Sequence, residues 1–275
     1  MGKIFNIAGP CNPDKHYMLP AMARLPEVMR LVEDEAYFVV HAQRQCGKTT
    51  AFLALANEIN AMDERVAVYC SLEAMQSFPR AEDGVPKICA LIKESITGMP
   101  EFGDLTETAW PIGRMTADEV VVSGVKTALS RMAAKISPKP LIVFFDEADC
   151  LGDSTLITFL RQLRNGKVDM GMGRPFPASV ALIGMRNIRD YKSRIRPERE
   201  TLGSASPFNV ITKAMTLRTF TLDEVAELYQ QHTVATGQAF EPGCAERAFG
   251  YSGGQPYLAN ALAKWCVDEI HDRRY

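Results

Sequence analysis

Short apolar segments recur along this 275-residue chain and alternate with longer segments in which the apolar residues have helical spacing. Short apolar runs bounded by polar or turn-forming residues are typical of buried strands. Five segments have this pattern: 37–40, 65–70, 141–147, 179–184 and 214–217. Because predicted helices separate these segments, the pattern favours an α/β fold with a parallel sheet of about five strands.

Helix start signals organise much of the remaining sequence. A proline begins a short amphipathic helix predicted at residues 26–33. Helical spacing also continues over residues 50–61, 87–95 and 155–164. A Thr followed three residues later by Glu forms a capping box, and Thr116 and Thr221 each begin such a sequence. The two boxes predict helices over residues 116–135 and 221–236.

Loops are predicted where glycine and proline are concentrated. Residues 98–113 and 165–177 have this composition, and the second of these segments is predicted to be flexible. Residues 1–24 are rich in proline, glycine and small side chains, which indicates an extended lead-in without a helix.

The pattern changes near residue 221, because the helical segments that follow have no strand between them. They cover residues 221–236, 242–249 and 256–270. These segments predict a small helical lid domain at residues 219–275. A core domain at residues 25–218 and the lead-in at residues 1–24 precede it.

The segment from Ala42 to Thr49, which follows the first predicted strand, has the residue types of a phosphate-binding loop. Such a loop needs a glycine-rich turn, a lysine for the β- and γ-phosphates and a hydroxyl ligand for Mg²⁺. Lys48 and Thr49 supply the lysine and the hydroxyl, and Gly47 permits close approach of phosphate to the backbone. Ala42 replaces the first glycine of the motif and is tolerable only if its φ is negative. The loop therefore predicts a MgATP site, with further candidate contacts from Arg44, Gln45, Cys46 and Thr50.

Two acids end the third predicted strand and supply the second half of this chemistry. Mg²⁺ takes oxygen ligands and retains several waters, so Asp146 is predicted to hold the ion through water. An adjacent acid can orient and polarise an attacking water, which is the role predicted for Glu147. The rival interpretation of Glu147 is a salt bridge that senses a partner. An extra strand beside the two motif strands, together with this glutamate, indicates the P-loop class with an additional strand and a catalytic glutamate.

Four features together resemble AAA-like ATPases of the STAND superfamily, near its archaeal-type and bacterial members. They are residues 46–50, 146–147, 184–187 and 252–257. Members carry an arginine after the fourth strand and a Gly-x-Pro in the helical lid, which Arg186 and Pro256 match. The resemblance implies that Arg186 senses the γ-phosphate and that Pro256 packs on the base or ribose. It also implies slow ATP hydrolysis, with the nucleotide state changing the lid angle and so controlling self-association or a protein partner.

Simpler interpretations stand beside these roles. Arg186 also fits a surface arginine in a basic loop, and Asn187 competes with it as the sensor. Pro256 also fits the common placement of proline at the first position of a helix. The lead-in residues His16 and Tyr17 are candidates for the adenine pocket, although a structural histidine is the simpler interpretation of His16.

Composition narrows the classes of partner and compartment. The net charge is −2, from 31 basic and 33 acidic residues, so the overall charge gives no attraction to nucleic acid or to an acidic membrane. No apolar run has the length of a membrane span and the first residues lack a signal-peptide pattern, so a cytoplasmic location is expected. Seven scattered cysteines without a CxxC pair favour neither a disulfide framework nor a zinc site.

A basic segment at residues 186–199 leaves a second class of function open. A solvated loop is its simplest interpretation, and a DNA-associated AAA+ motor or loader is the alternative. An arginine acting on the phosphates of a neighbouring copy is a further use, for which Arg161 and Arg164 are rival candidates. A nucleotide-binding module without turnover is a third interpretation, motivated by Ala42. A small-molecule kinase is less favoured, because no acceptor-binding signature follows the phosphate loop.

Overall fold

Five parallel strands form the sheet that the apolar segments predict. They are β1 (Tyr37–His41), β2 (Val66–Ser71), β3 (Leu141–Asp146), β4 (Ser179–Gly184) and β5 (Lys213–Thr216). Their order in the sheet is β2-β3-β4-β1-β5, and each pair of neighbours is parallel. The predicted α/β sheet is confirmed, and β4 is the extra strand that separates the two motif strands β1 and β3.

The computed structural model describes residues 2–185 and 207–270. Within these ranges the α-helices are α1 (Ala21–Arg24), α2 (Pro26–Glu33), α3 (Lys48–Ala61), α4 (Ala81–Ile96), α5 (Gly103–Glu107), α6 (Ala117–Ile136), α7 (Asp153–Gly171), α8 (Leu222–Thr236), α9 (Cys244–Ser252) and α10 (Pro256–Trp265). None of the helices in the described part of the chain is both long and apolar enough to cross a membrane.

Single helical turns of other types complete the described secondary structure. Short 3-10 turns lie at Glu73–Ser77, Pro100–Phe102, Pro111–Arg114, Ala148–Cys150 and Pro207–Val210. A π-helical turn at Cys266–Ile270 follows α10. Several of these turns occupy the segment 98–113, where glycine and proline predict loops.

The fold divides into two compact units. The first comprises Met1–Pro26, Ala42–Ala54 and Leu217–Tyr275, and the second comprises Glu27–His41 and Leu55–Thr216. The first unit thus contains the phosphate loop, and the second contains all five strands. The predicted boundaries of independently folding domains, 1–24, 25–218 and 219–275, stay a prediction.

The core of the second unit lies on the sheet. All six residues of β3 and all six of β4 are buried, which explains why both strands are continuous apolar runs without alternation. Helices α4, α6 and α7 supply most of the covering side chains. For example, the rings of Phe145 on β3 and Phe159 on α7 meet edge to face at 5.1 Å, a favoured aromatic geometry.

The core of the first unit is an aromatic cluster. Phe5 and Tyr17 of the lead-in pack with their ring centres 4.8 Å apart, and Tyr229 stacks on Phe240 at 4.7 Å. The hydroxyl of Tyr17 also shares a hydrogen bond of 3.2 Å with Nδ1 of the buried His232. The lead-in is therefore packed against the C-terminal helices of its own unit. Its last four residues form α1, which the prediction of a lead-in without helix missed.

The two capping boxes are confirmed. The Thr116 hydroxyl accepts from the backbone N–H of Glu119, and the Glu119 carboxylate accepts in return from the backbone N–H of Thr116. Thr221 and Glu224 form the same pair of bonds at the start of α8. These bonds involve residues only three positions apart, so a local sequence pattern is enough to predict them.

Two helices extend beyond their predicted bounds. Helix α4 begins at Ala81 although Pro86 lies inside it, where proline removes a backbone hydrogen bond and usually ends a helix. Helix α7 continues to Gly171, so the flexible loop predicted at 165–177 is wrong over its first half. A Cβ on Gly166 would lie 2.1 Å from the Phe176 ring. This glycine therefore permits close packing inside the helix and does not mark a turn.

We expect Gly166→Ala to destabilise the protein by about 1–3 kcal/mol, because the added methyl overlaps the buried Phe176 ring and the core must shift. Gly171→Ala is the matched control at the end of the same helix, since nothing lies within 4 Å of its Cβ position. Denaturant unfolding of both variants measures the difference. Equal stability of the two variants would contradict the packing role of Gly166.

Candidate nucleotide site

The segment between β1 and α3 has the backbone shape of an anion-binding loop. Gln45 and Gly47 adopt positive φ values of 61° and 74°, and Cys46 between them does not. Alternation of left-handed and right-handed residues turns successive N–H groups toward one side, which creates a concave site for an anion. Helix α3 starts at the next residue, Lys48, so its unpaired N–H groups add to the same positive region.

Ala42, the departure from the usual motif, fits the loop without strain. Its φ is not positive, which is the condition under which alanine can replace the first glycine of the motif. The residue is 4% exposed, and its carbonyl accepts from the Lys48 ammonium. A glycine is therefore not required at this position by the backbone conformation.

Lys48 is buried inside the loop that it was predicted to serve. Only 6% of the residue is exposed, and Nζ donates to the carbonyls of Ala42 and Gln43 at 3.2 Å each. Lysine is almost never this buried unless its charge has partners. The ammonium is thus held by backbone carbonyls beside the left-handed residues of the loop.

The remaining predicted phosphate contacts lie on the loop and on the first turn of α3. Arg44 and Gln45 are exposed, Cys46 is buried, and Thr49 and Thr50 are half-buried. The Thr50 hydroxyl accepts from the backbone N–H of Cys11 at 3.0 Å. This bond ties the lead-in to the helix that follows the loop.

Arg24 is a residue of this site that the sequence interpretation missed. It is 7% exposed, and Nη2 donates to the carbonyls of Cys46 at 3.4 Å and Arg218 at 3.2 Å. Its guanidinium also lies 4.7 Å from the centre of the Phe220 ring. Burial lowers the pKa of Arg24 to about 10, and the charge of Glu224 partly offsets this effect. Arg24 follows the buried Ala21 by three residues, a spacing that places both on one face of α1.

A narrow cavity lies beside Gly47 in the first unit. Its walls come from the lead-in, the loop, α3 and the C-terminal helices, and include Tyr17, Arg24, Thr50 and Pro256. The volume is about 60 Å³, far below the roughly 300–1,000 Å³ of typical ligand sites. A nucleotide base would therefore require these walls to move apart.

The Gly254-Gln255-Pro256 segment lies next to the loop within the same unit. Pro256 is the first residue of α10, and its Cβ lies 3.8 Å from the position of a Cβ on Gly47. The Gln255 side chain donates to the Arg44 carbonyl at 3.4 Å. The predicted proximity of Pro256 to nucleotide remains a prediction, but Pro256 and Gly47 line the same narrow cavity.

Asp146 lies at the carboxyl end of β3 in the second unit, fully buried. Its Oδ2 accepts from the hydroxyl of Tyr69 at 2.6 Å, and its Oδ1 accepts from the backbone N–H of Glu147 at 2.9 Å. Buried carboxylates need such donors to offset their lost hydration. The sequence interpretation did not include Tyr69, because the contact depends on the pairing of β2 with β3.

Glu147 has an unusual backbone conformation. Its φ is 54°, in the left-handed region, which is uncommon for a residue with a side chain. The residue is half-buried, and its carbonyl accepts from the N–H of Cys150. Strained residues of this kind cluster at functional sites, which agrees with a chemical role for this acid.

Gly184 at the end of β4 allows a second acid to come close to the sheet. A Cβ on Gly184 would lie 2.5 Å from Oδ1 of Asp149. Asp149 is accommodated by the missing side chain of Gly184, at the same carboxyl end of the sheet as Asp146.

Other predicted residues are placed differently or lie outside the described residues. Nδ1 of His16 accepts from the N–H of Asn12 at 2.8 Å, which fits the structural interpretation of this histidine. Arg186, Asn187 and the rest of the basic segment 186–199 lie outside the described residues. Arg161 and Arg164 lie on α7 in the second unit.

The chain is similar in structure to several ATPases. A Walker-type ATPase of Pyrococcus abyssi matches with 13% identity and a TM-score of 0.65, over 97% of this chain and 72% of that one. The ORC1 protein of Aeropyrum pernix, solved in complex with DNA, matches with 13% identity and a TM-score of 0.55, over 96% and 64%. The ORC2 protein of the same organism matches with 14% identity and a TM-score of 0.53, over 94% and 62%.

These likenesses establish the fold. The chain has the α/β fold of P-loop ATPases, with a helical C-terminal region, and it spans less than two thirds of the length of the two Aeropyrum pernix proteins. Comparison with protein-family models and with curated protein sequences finds no match. Activity and partners therefore have to be argued from the residues of this chain.

We expect Gly254→Ala to destabilise the first unit more than Gly253→Ala does. Both glycines have positive φ, which costs a side chain about 1–2 kcal/mol. Only at Gly254 would the added Cβ also meet a backbone atom, the Phe220 carbonyl oxygen, at 2.0 Å. Thermal unfolding should show a loss of about 2–4 °C for Gly253→Ala and more than about 6 °C for Gly254→Ala. Equal losses would contradict the tight approach.

Proposed function

We propose that this protein is an AAA-like ATPase of the STAND type that binds MgATP, hydrolyses it slowly and uses the nucleotide state to control self-association or a protein partner. The observation that carries the proposal is the loop before α3, which is left-handed at Gln45 and Gly47 and encloses the Lys48 ammonium. Its connection to the carboxyl end of β1 supports the assignment, because ligands of α/β sheets bind outside these ends.

The binding roles follow from the chemistry of each group. Lys48 and the loop N–H groups bind the β- and γ-phosphates, and the Thr49 hydroxyl and Asp146 hold magnesium. When bound, magnesium neutralises phosphate charge. These residue types fit this ion, since hydroxyl and carboxylate oxygens are its usual ligands in proteins.

The catalytic role belongs to Glu147. In the proposed reaction its carboxylate orients water and accepts a proton as that water attacks the γ-phosphorus. The bond between this phosphorus and the bridging oxygen breaks, and ADP and phosphate are released. The strained backbone at this residue supports the assignment. Arg186 is proposed to stabilise the γ-phosphate charge, a role that rests on the family resemblance alone.

The switch part of the proposal rests on contacts inside the first unit. The Gln255 side chain of the lid donates to the Arg44 carbonyl of the loop. Pro256 of the lid and Gly47 of the loop line the same narrow cavity. Arg24 bonds both to the loop at Cys46 and to Arg218, three residues before Thr221, the N-cap of α8. A nucleotide that displaces the loop or opens the narrow cavity therefore changes bonds that hold the lid.

We expect ADP and a non-hydrolysable ATP analogue to stabilise different arrangements of this protein, because they differ in contacts to the loop and its lid neighbours. Small-angle scattering of the two complexes under matched salt should give different profiles. A Gln255→Ala variant, which loses one loop-to-lid bond, should show a smaller difference. Superimposable profiles for the wild type would contradict the switch while leaving hydrolysis possible.

We expect Lys48→Ala to abolish MgATP binding and Glu147→Gln to preserve binding while reducing phosphate release by about a hundredfold or more, since it removes the base. Phosphate release and binding of a fluorescent ATP analogue should be measured in parallel. Lys15→Ala and Glu101→Gln are matched controls, because both side chains are exposed and neither residue belongs to the loop or to a strand. Both controls should behave as wild type.

The outcomes separate the alternatives. Binding without phosphate release by the wild type would favour a nucleotide-binding module, and no binding would contradict the whole proposal. The DNA-associated alternative rests on the basic segment 186–199. The DNA in the Aeropyrum pernix ORC1 structure is a ligand of that protein and is not an argument about this chain. Stimulation of ATP turnover by duplex DNA would favour this alternative, if the stimulation decreases as the salt concentration rises.

A further inference from the structure

Tyr69 on β2 reaches the carboxylate that the proposed function assigns to magnesium. In the parallel pairing of β2 with β3, Tyr69 is opposite Phe144 and Ser71 is opposite Asp146. Side chains two positions apart in a strand point to the same face. Ser71 is the direct partner of Asp146, and Tyr69 precedes Ser71 by two positions. Tyr69 and Asp146 therefore lie on the same face of the sheet. They are diagonal neighbours, at a distance that an aromatic side chain can span.

The Tyr69 hydroxyl and the Glu147 backbone N–H reach different oxygens of Asp146. The hydroxyl of Tyr69 donates to Oδ2 at 2.6 Å, within the range of a short charge-assisted bond. The backbone N–H of Glu147 donates to Oδ1 at 2.9 Å. With one donor on each oxygen, rotation of the carboxylate breaks at least one bond. Its orientation is therefore set by Tyr69 together with the backbone.

A carboxylate has about four lone-pair sites on its two oxygens. A hydrogen bond to each oxygen is therefore compatible with a role in holding a metal ion or its bound water. Groups that orient a ligand of a metal from outside its coordination shell commonly change metal affinity by about 10–100-fold when they are removed. Tyr69 has the geometry of such a group.

We propose that Tyr69 is a positioning residue that orients Asp146 for magnesium and its bound water. This inference rests on the proposed function, since it requires Asp146 to serve magnesium. It assigns a role to β2, a strand at the edge of the sheet that carries none of the residues in the sequence motifs. The ring of Tyr69 does not take part in chemistry; its hydroxyl acts through Asp146.

The test is the magnesium dependence of nucleotide binding, measured with a fluorescent ATP analogue titrated with MgCl₂ from a metal-free start. We expect Tyr69→Phe to raise the half-saturating magnesium concentration about tenfold, with metal-free nucleotide affinity unchanged. Turnover should recover at high magnesium. Tyr37→Phe is the matched control, because it also removes a buried tyrosine hydroxyl that donates a hydrogen bond. Tyr37 is the first residue of β1, and its hydroxyl donates to the Pro177 carbonyl at 2.7 Å.

A double-mutant cycle identifies the route of the effect. In an Asp146→Asn background, Tyr69→Phe should add little to the magnesium midpoint, because the two residues act as one unit. An unchanged midpoint in the single variant, or an equal shift in both backgrounds, would overturn the inference and leave the proposed function standing. If the wild type shows no magnesium-dependent nucleotide binding, the proposed function and the inference both fail.

Discussion

The in-register parallel pairing of β3 with its neighbours is the constraint on which the acidic part of the site depends. All residues of β3 are buried and the last of them is Asp146, so its carboxylate would cost several kcal/mol without donors. Pairing with β2 brings the Tyr69 hydroxyl to one oxygen, and the turn at Glu147 supplies an N–H to the other. A slip of one residue would turn Tyr69 to the opposite face and remove that donor.

A comparable constraint acts in the first unit, where charge is buried beside the phosphate loop. Lys48 and Arg24 are both almost inaccessible, and each donates to backbone carbonyls of the loop. Two buried cations next to a ring of N–H groups make a strongly positive region. Such an arrangement favours an anionic ligand, and it links the loop to the segment that leads into α8. In the proposed switch, these bonds are the ones through which nucleotide binding changes the position of α8.

Strands and capped helices were predictable because their signals are local. Apolar runs such as β3 and β4 are buried on both faces, which leaves a continuous pattern in the sequence. The errors arose where distant packing overrides a local signal. Gly166 predicts a loop by composition, yet it lies inside α7 because Phe176 occupies the space of its side chain. The start of α4 was missed since Pro86 is tolerated within that helix.

The sequence by itself determined the order of the phosphate loop, the acidic pair and the lid segment, and hence the fold class, because each is a short pattern with its own chemistry. Only the tertiary structure decided that Arg24 is buried against the loop, that Tyr69 bonds Asp146 from 77 positions away, and that Pro256 lines one cavity with Gly47. These contacts join residues far apart in the chain. They depend on strand order and helix packing, which no local pattern of side chains specifies.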